Sequence, residues 1–221
     1  MESSTLFSLR LSLQVAAVAT ILIFAAGVPI AYLLARGVFR GREVVDVLIT
    51  LPLVLPPTVT GYLLIVLLGR NGIIGGTLYR WTGWSIMFTW QAAVIASFVV
   101  ALPLMVKTAR AAIETVDRNL IDASATLGHS ELWTVVRVTL PLAQRGIVAG
   151  LVLAFARALG EFGATLMLAG NIPGRTDTMP IAMYAAAASG DRSGANVMVL
   201  LFTAISGACL YAANRLGRRT A

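Results

Sequence analysis

Four stretches of this chain, residues 11–35, 47–69, 81–106 and 193–214, each run for more than twenty residues without a charged side chain. A helix needs ~20 apolar residues to cross a hydrocarbon layer ~30 Å thick at ~1.5 Å rise per residue. All four qualify as spans. A fifth stretch, 146–169, is long enough but contains Arg157 and Glu161, so it spans only if those charges pair or face a protected interior. The reading is an all-α polytopic membrane protein with about five spans in a single unit covering residues 1–221. The first stretch is too long for a signal peptide and is followed by Arg36, Arg40 and Arg42, so it is expected to remain as a helix.

Charge sets the expected orientation. With the Arg36–Arg42 loop inside, alternation places Lys107, Arg110, Arg118, Arg137, Arg145, Arg215, Arg218 and Arg219 inside as well, and leaves Arg10, Arg70, Arg80, Arg175 and Arg192 outside. That asymmetry predicts an outer N-terminus and an inner C-terminus. The net charge of +7 is thereby explained as a topology signal, and no nucleic-acid partner is expected. The single lysine, Lys107, follows Val106, so the chain has no phosphate-binding G-x-x-x-x-G-K-[ST] loop. If ATP drives this protein, a separate subunit hydrolyses it. One cysteine, Cys209, and one histidine, His129, leave no disulfide framework and no zinc cluster. Cys209 reads as a small hydrophobe and His129 as a solvated loop residue. Gly190-Asp191-Arg192-Ser193-Gly194 superficially resembles a nucleophile elbow, but its serine is one place late and the sole histidine is expected on the other membrane face. An intramembrane hydrolase would therefore lack its base, and labelling of Ser193 by an activity probe is what would revive it.

Proline and small residues carry the finer signals. Pro52, Pro56 and Pro57 each delete a backbone donor and predict a broken second span, which reads either as a path-lining discontinuity or as a packing kink. Gly146, Gly150, Ala154 and Ala158 form a small-residue strip, as do Ala204, Ala208 and Ala212, and such strips let helices approach closely. Arg157 and Glu161 stand four apart, within reach of one another on a helix. They read as an internal ion pair, as a gate that changes partners, or, for Arg157, as a transient anion contact. A strong bidentate contact would trap a passing anion, so Arg157 is not assigned as a binding residue. Gly160 and Gly163 bracket Phe162, whose ring is either a packing aromatic or a swinging constriction.

The long polar segment 107–145 is expected to hold two short helices. Asp117 can cap the first, Leu120, Ala123, Ser124 and Leu127 share one face, and Gly128 suits a left-handed C′ position. Ser130 can cap the second, Leu132, Val135, Val136 and Thr139 share its face, and Pro141 is expected to mark its junction with the membrane. From periodicity alone this is either a docking element or a helix pair lying on lipid headgroups.

Asp122-Ala123-Ser124, three residues, Gly128, nine residues and Val138-Thr139-Leu140-Pro141 resemble the E-A-A-x3-G-x9-I-x-L-P loop of binding-protein-dependent ABC importer permeases. Asp, Ser and Val replace Glu, Ala and Ile, keeping charge, size and shape. The resemblance implies that Asp122, Ala123, Ser124, Gly128, Val138, Leu140 and Pro141 belong to a coupling loop, 117–141, that docks on an ATPase subunit. More narrowly, L-P-L-V-L-P-P at 51–57, A-F-A-R-A-L-G-E-F-G-A-T at 154–165 and N-I-P-G-R-T at 171–176 look like the molybdate permeases, with sulfate permeases as the alternative. This implies a non-enzymatic translocation subunit in a prokaryotic inner membrane, possessing no cofactor of its own. The implied partners are a second copy of the chain, two cytosolic ATPase subunits carrying ATP and Mg, an extracytoplasmic molybdate-binding protein, and surrounding lipid. Tungstate would be accepted alongside molybdate. Path or gate candidates are Pro56, Pro57, Arg157, Gly160, Glu161, Phe162 and Gly163. Outer docking candidates are Asn171, Pro173, Gly174 and Thr176. The segment 70–80, with Arg70, Arg80 and no acid, suits an anion but is read first as docking surface.

Overall fold

The computed structural model describes the backbone of residues 2–219 and the side chains of 4–211, and among these residues every regular element is helical. Ala212, Asn214, Arg215, Arg218 and Arg219, which bear on the last span, its strip and its basic tail, have side chains outside the described residues. The long helices are α1 (Glu2–Arg36), α5 (Trp90–Glu114), α8 (Leu140–Leu159) and α11 (Arg192–Arg219). Between them lie α2 (Arg42–Val54), α3 (Pro57–Leu68), α4 (Ile73–Thr82), α6 (Arg118–Thr126), the single turn α7 (Glu131–Thr134), α9 (Gly163–Ala169) and α10 (Met179–Ala188). Four helical runs are long and apolar enough to cross a membrane, and the bent pair α2 and α3 makes a fifth if its two arms count as one span.

The core is α1 and α8 packed on α5. Lipid tails are as apolar as leucine, so close packing rather than hydrophobic burial drives such contacts. The contact surfaces are accordingly rich in small residues: Ala19 and Ala31 on α1 and Ala96, Ala101 and Ala109 on α5 are fully buried. On α8 the strip behaves as expected. A Cβ at Gly146 would collide with Ala112 Cβ, and one at Gly150 would stand 3.1 Å from Met105 Sδ. The α11 strip does not, because Ala204 and Ala208 are exposed within this chain.

Several boundaries differ from the uncharged runs, each for a local reason. The third run, 81–106, begins inside α4, which Gly83 ends at φ +68. The long helix starts only at Trp90, where the Thr89 hydroxyl accepts the Ala92 N–H at 3.2 Å. That helix then passes Val106 and continues to Glu114, because its charges are paired. Lys107 Nζ lies 2.8 Å and Arg110 Nη1 3.1 Å from the two Asp46 carboxylate oxygens, and Arg110 Nε reaches Glu114 at 2.8 Å. Arg36 closes the far end by donating from Nη2 to the Ile113 and Val116 carbonyls at 2.8 and 2.7 Å, a positive group on a helix C-terminus.

Pro141 does not separate the second short helix from the span that follows. The run from Glu131 to Leu159 is one continuous helix of 29 residues, with a π turn at Val135–Thr139 just before the proline. A proline in an α-helix removes one donor and its ring collides with the carbonyl four residues back. The wider i→i+5 turn accommodates that ring. The fourth run, 146–169, is likewise interrupted: α8 stops at Leu159 and α9 begins at Gly163.

Candidate functional site

The two broken spans meet. α2 and α3 diverge by 119° across Leu55–Pro56, where consecutive prolines remove two donors and start α3 with Pro57 in its first turn. The break between α8 and α9 packs directly on this point. A Cβ at Gly163 would fall 2.9 Å from Pro57 Cβ, and one at Gly61 would fall 2.7 Å from Met167 Cβ and 3.0 Å from Ala164 Cα. Pro57 and Gly163 are thus in contact, and α3 and α9 leave that point packed along one another.

Glu161 organises the second break. It is 3% exposed. One carboxylate oxygen lies 2.6 Å from Arg157 Nη1, and the other accepts the Ala164 N–H at 2.8 Å. The expected i,i+4 pair is therefore present, although Glu161 stands beyond the end of α8 rather than on it. The same carboxylate neutralises an arginine and satisfies an orphan N–H at the start of α9. Phe162 is half-buried and packs on the exposed Tyr184 with ring centroids 5.2 Å apart. Gly160 has open space around it, its would-be Cβ meeting only the Ala156 carbonyl oxygen at 3.6 Å.

In the 117–141 segment the capping chemistry is as expected. Asp117 accepts the Asn119 N–H at 2.9 Å and Ser130 the Trp133 N–H at 3.3 Å. Gly128 sits at φ +83, with His129 N–H donating to the Ser124 carbonyl at 3.2 Å and Gly128 N–H to that of Ala125 at 3.0 Å. These two bonds form a complete Schellman motif. Asp122, Ala123, Leu120 and Leu127 are exposed, but Ser124 is not. It is 5% exposed, and its hydroxyl shares a 2.7 Å hydrogen bond with that of Thr134. Ser124 therefore clasps α6 to α7 instead of joining the outward face. His129 is exposed and stacks on Trp133 at 3.6 Å between ring centroids. Val138 and Leu140 are half-buried and Pro141 is exposed.

At the other end of the bundle, Asn171, Pro173 and Gly174 form an exposed turn, with Gly174 at φ +69. Thr176 departs from its expected docking role. It is fully buried, accepts the Ile172 N–H at 3.0 Å and donates to the Gly170 carbonyl at 3.4 Å, so it holds the turn from beneath. Sequence reasoning missed the neighbouring tie. Asp177, whose charge suggests exposure, is buried and accepts from the Ser8 hydroxyl at 3.2 Å, and Ser12 accepts the Met179 N–H at 2.7 Å. The exposed turn is thereby wired to α1. An acid flanked by threonines and facing two serines spaced by one helical turn is the signal that could have found it.

Among the described residues no group of three or more His, Cys, Asp or Glu could hold a metal ion. Ser193 lies in the first turn of α11, where Asp191 accepts the Gly194 N–H at 2.9 Å, whereas His129 belongs to the 117–141 segment at the other end. What the site offers is two facing helix breaks, an ion pair whose carboxylate is buried, and a continuous helix running from the loop to one of those breaks.

Comparison with known proteins adds three findings. Residues 27–219 match the family described as binding-protein-dependent transport system inner membrane component. The chain is 49% identical over 177 residues, 80% of its length and 77% of the relative's, to the molybdenum transport system permease protein of Haemophilus influenzae. It is 44% identical over 209 residues, 94% of its length and 91% of the relative's, to the corresponding protein of Escherichia coli. Among solved structures, it resembles a chain of the MetNI methionine ABC transporter in inward facing conformations with a TM-score of 0.79 at 19% identity, covering 100% of this chain and 98% of that one. A bacterial ABC transporter that imports alginate gives a TM-score of 0.77 at 16% identity, covering 97% and 79%. These structural likenesses speak to the fold.

Proposed function

Because this chain belongs to the binding-protein-dependent transport system inner membrane component family, we propose that it is the membrane-spanning subunit of an ATP-driven molybdate importer. It is a multi-pass inner-membrane protein and a translocation subunit, not an enzyme. The observation that carries the substrate is the 44% identity to a molybdenum permease over 94% of the chain. Tungstate, which shares the charge and tetrahedral shape of molybdate, is carried by the same path.

The assembly is two copies of this chain, two cytosolic ATPase subunits holding ATP and Mg, and an extracytoplasmic molybdate-binding protein. Five thin-walled spans do not enclose a path alone, which favours a pair. The unburied apolar face of α2 and α3, including Leu48, Leu51, Tyr62 and Leu63, provides surface for a neighbour. Residues 1–221 form one translocation domain with its N-terminus outside, an orientation supported by the arginine and lysine asymmetry. In intact cells, an impermeant thiol reagent should modify Thr77→Cys but not Leu127→Cys, both in a Cys209→Ala background; the reverse pattern rejects the orientation.

In operation, closure of the ATPase pair around ATP displaces the loop at Asp122, Ala123 and Leu127. The Ser124–Thr134 hydrogen bond makes α6 and α7 move together. The continuous helix Glu131–Leu159, about 40 Å long at 1.5 Å per residue, carries the displacement to Gly160. There the Arg157–Glu161 pair and the Pro57–Gly163 contact form the gate that opens and closes in alternating access. Asn171, Pro173 and Gly174 receive the binding protein, and Thr176 and Asp177 pass its position to α1.

Cells lacking this chain and complemented with it should regain uptake of labelled molybdate. Excess tungstate should compete, and equal excess sulfate should not. Suppression by sulfate alone would move the chain to the sulfate permeases.

A further inference from the structure

At the N-terminal end of α5, opposite the 117–141 loop, the end of α3 and the segments leading into α4 and α5 line an open pocket of about 600 Å³. Its apolar floor is Ile65, Met87 and Phe88, and its polar lining is Arg70, Asn71 and Ser85. Arg70 is the one ionisable group among these. Residues 47–113 contain no acid at all, and the nearest acids along the chain are engaged elsewhere, Asp46 with Lys107 and Arg110 and Glu114 with Arg110. The cavity therefore carries an arginine whose charge no carboxylate in this segment offsets.

That arginine is held in a particular way. Its guanidinium carbon lies 5.0 Å from the centroid of the Tyr79 ring. A cation–π contact engages the ring through charge and not through an acceptor atom, so guanidinium N–H donors stay available to an anion. Those donors, the Asn71 amide and the Ser85 hydroxyl suit a tetrahedral oxyanion.

The wall is also coupled to the gate. Phe88 is the one non-glycine residue at positive φ among the described residues, at +61°, a conformation that costs a side-chain-bearing residue of order 1–3 kcal/mol. Its N–H is tied to the Leu168 carbonyl at 3.2 Å, and its ring packs over Gly170, where a Cβ would stand 3.0 Å from Phe88 Cδ1. Leu168 lies in the last turn of the short helix that Glu161 starts.

We propose that this cavity is a waiting site for a free tetrahedral oxyanion, occupied between release from the binding protein and passage at the Pro57–Gly163 contact. This rests on the importer reading. The site is weak by construction, with one arginine, neutral donors and room for retained water, as passage requires. Phospholipid headgroups carry the same tetrahedral phosphate chemistry, so the test separates the two sources.

Ser85→Cys in a Cys209→Ala background, purified in maltoside detergent, is labelled with a cationic thiol reagent at constant ionic strength. Occupancy slows labelling by a factor of one plus ligand concentration over dissociation constant, so 4 mM molybdate on a site of ~1 mM affinity gives about fivefold. Sodium chloride should give no slowing, and Arg70→Gln should remove the molybdate effect, each variant being compared with its own rate without molybdate. Asn71→Cys repeats the measurement in case the Ser85 hydroxyl is itself required. Unslowed labelling at both positions overturns the site. Slowing by phosphatidylglycerol micelles but not by molybdate also overturns it and gives the cavity to lipid. Uptake by the cysteine variants, measured in parallel, separates the two ideas: unslowed labelling in variants that still import molybdate sinks the cavity and spares the importer.

Discussion

Glu161→Ala should destabilise the folded chain by about 3 kcal/mol, the lower end for breaking a buried charge pair. Two losses coincide. Arg157 is left without its 2.6 Å partner, and the Ala164 N–H loses its 2.8 Å acceptor. The lower end applies because the Arg157 side chain keeps 29% exposure and can turn toward water. Glu161→Gln should lose less, since its amide oxygen can still accept from Ala164. Arg157→Ala combined with Glu161→Ala should cost less than the two single changes added together, because no charge is then stranded. Thermal unfolding of the detergent-solubilised variants measures all four. Additive losses, or an unchanged midpoint in Glu161→Ala, would show that the pair does not hold the break together, and the gate would have to be built on the Pro57–Gly163 contact alone.

Gly128→Val should leave the protein in the membrane at normal abundance and abolish its coupling to ATP hydrolysis. At φ +83 a residue with a Cβ costs roughly 1–2 kcal/mol, and β-branching places valine at the upper end. Nothing lies within 4 Å of a Cβ built at this position, so the cost is backbone strain and not collision. A strain of about 2 kcal/mol lowers the population of the native turn by roughly 30-fold relative to its alternatives. The strained turn joins α6 to α7, outside the α1, α5 and α8 core, so folding survives while the face of Asp122, Ala123 and Leu127 is misplaced. Gly128→Asn, which tolerates the left-handed region, should retain coupling. The readouts are co-purification of the ATPase subunit and stimulation of ATP hydrolysis by loaded binding protein. Full stimulation in the valine variant would make the segment a lipid-lying helix.

These two variants sit on features of unequal legibility. The Asp117 and Ser130 caps and the Gly128 stop are readable because each is local chemistry within four residues. The first helix break can be anticipated from Pro56 and Pro57, whereas the one at Gly160 falls inside a run read as a single span, and that the two pack against each other depends on contacts across more than a hundred residues. The ends of α5 escape a count of uncharged residues, which sees neither the Thr89 cap nor the Asp46 carboxylate that lets Lys107 and Arg110 stay helical. Pro141 looks like a boundary because a π turn leaves no periodic trace in a segment of five residues. Polarity alone places Ser124, Thr176 and Asp177 at the surface. Their burial is made possible by partners distant in sequence or beyond a turn, Thr134, Gly170 and Ser8, which no spacing rule supplies.

The central claim is that this chain moves molybdate across a membrane only as part of an ATP-driven assembly. Proteoliposomes containing this chain, its ATPase subunit and internal ATP, with binding protein and labelled molybdate added on the other side, test it most directly. Accumulation against a gradient that requires both ATP and binding protein, competes with tungstate and is indifferent to sulfate is the expected result. Movement that persists without ATP, or that follows sulfate in place of molybdate, would contradict the account.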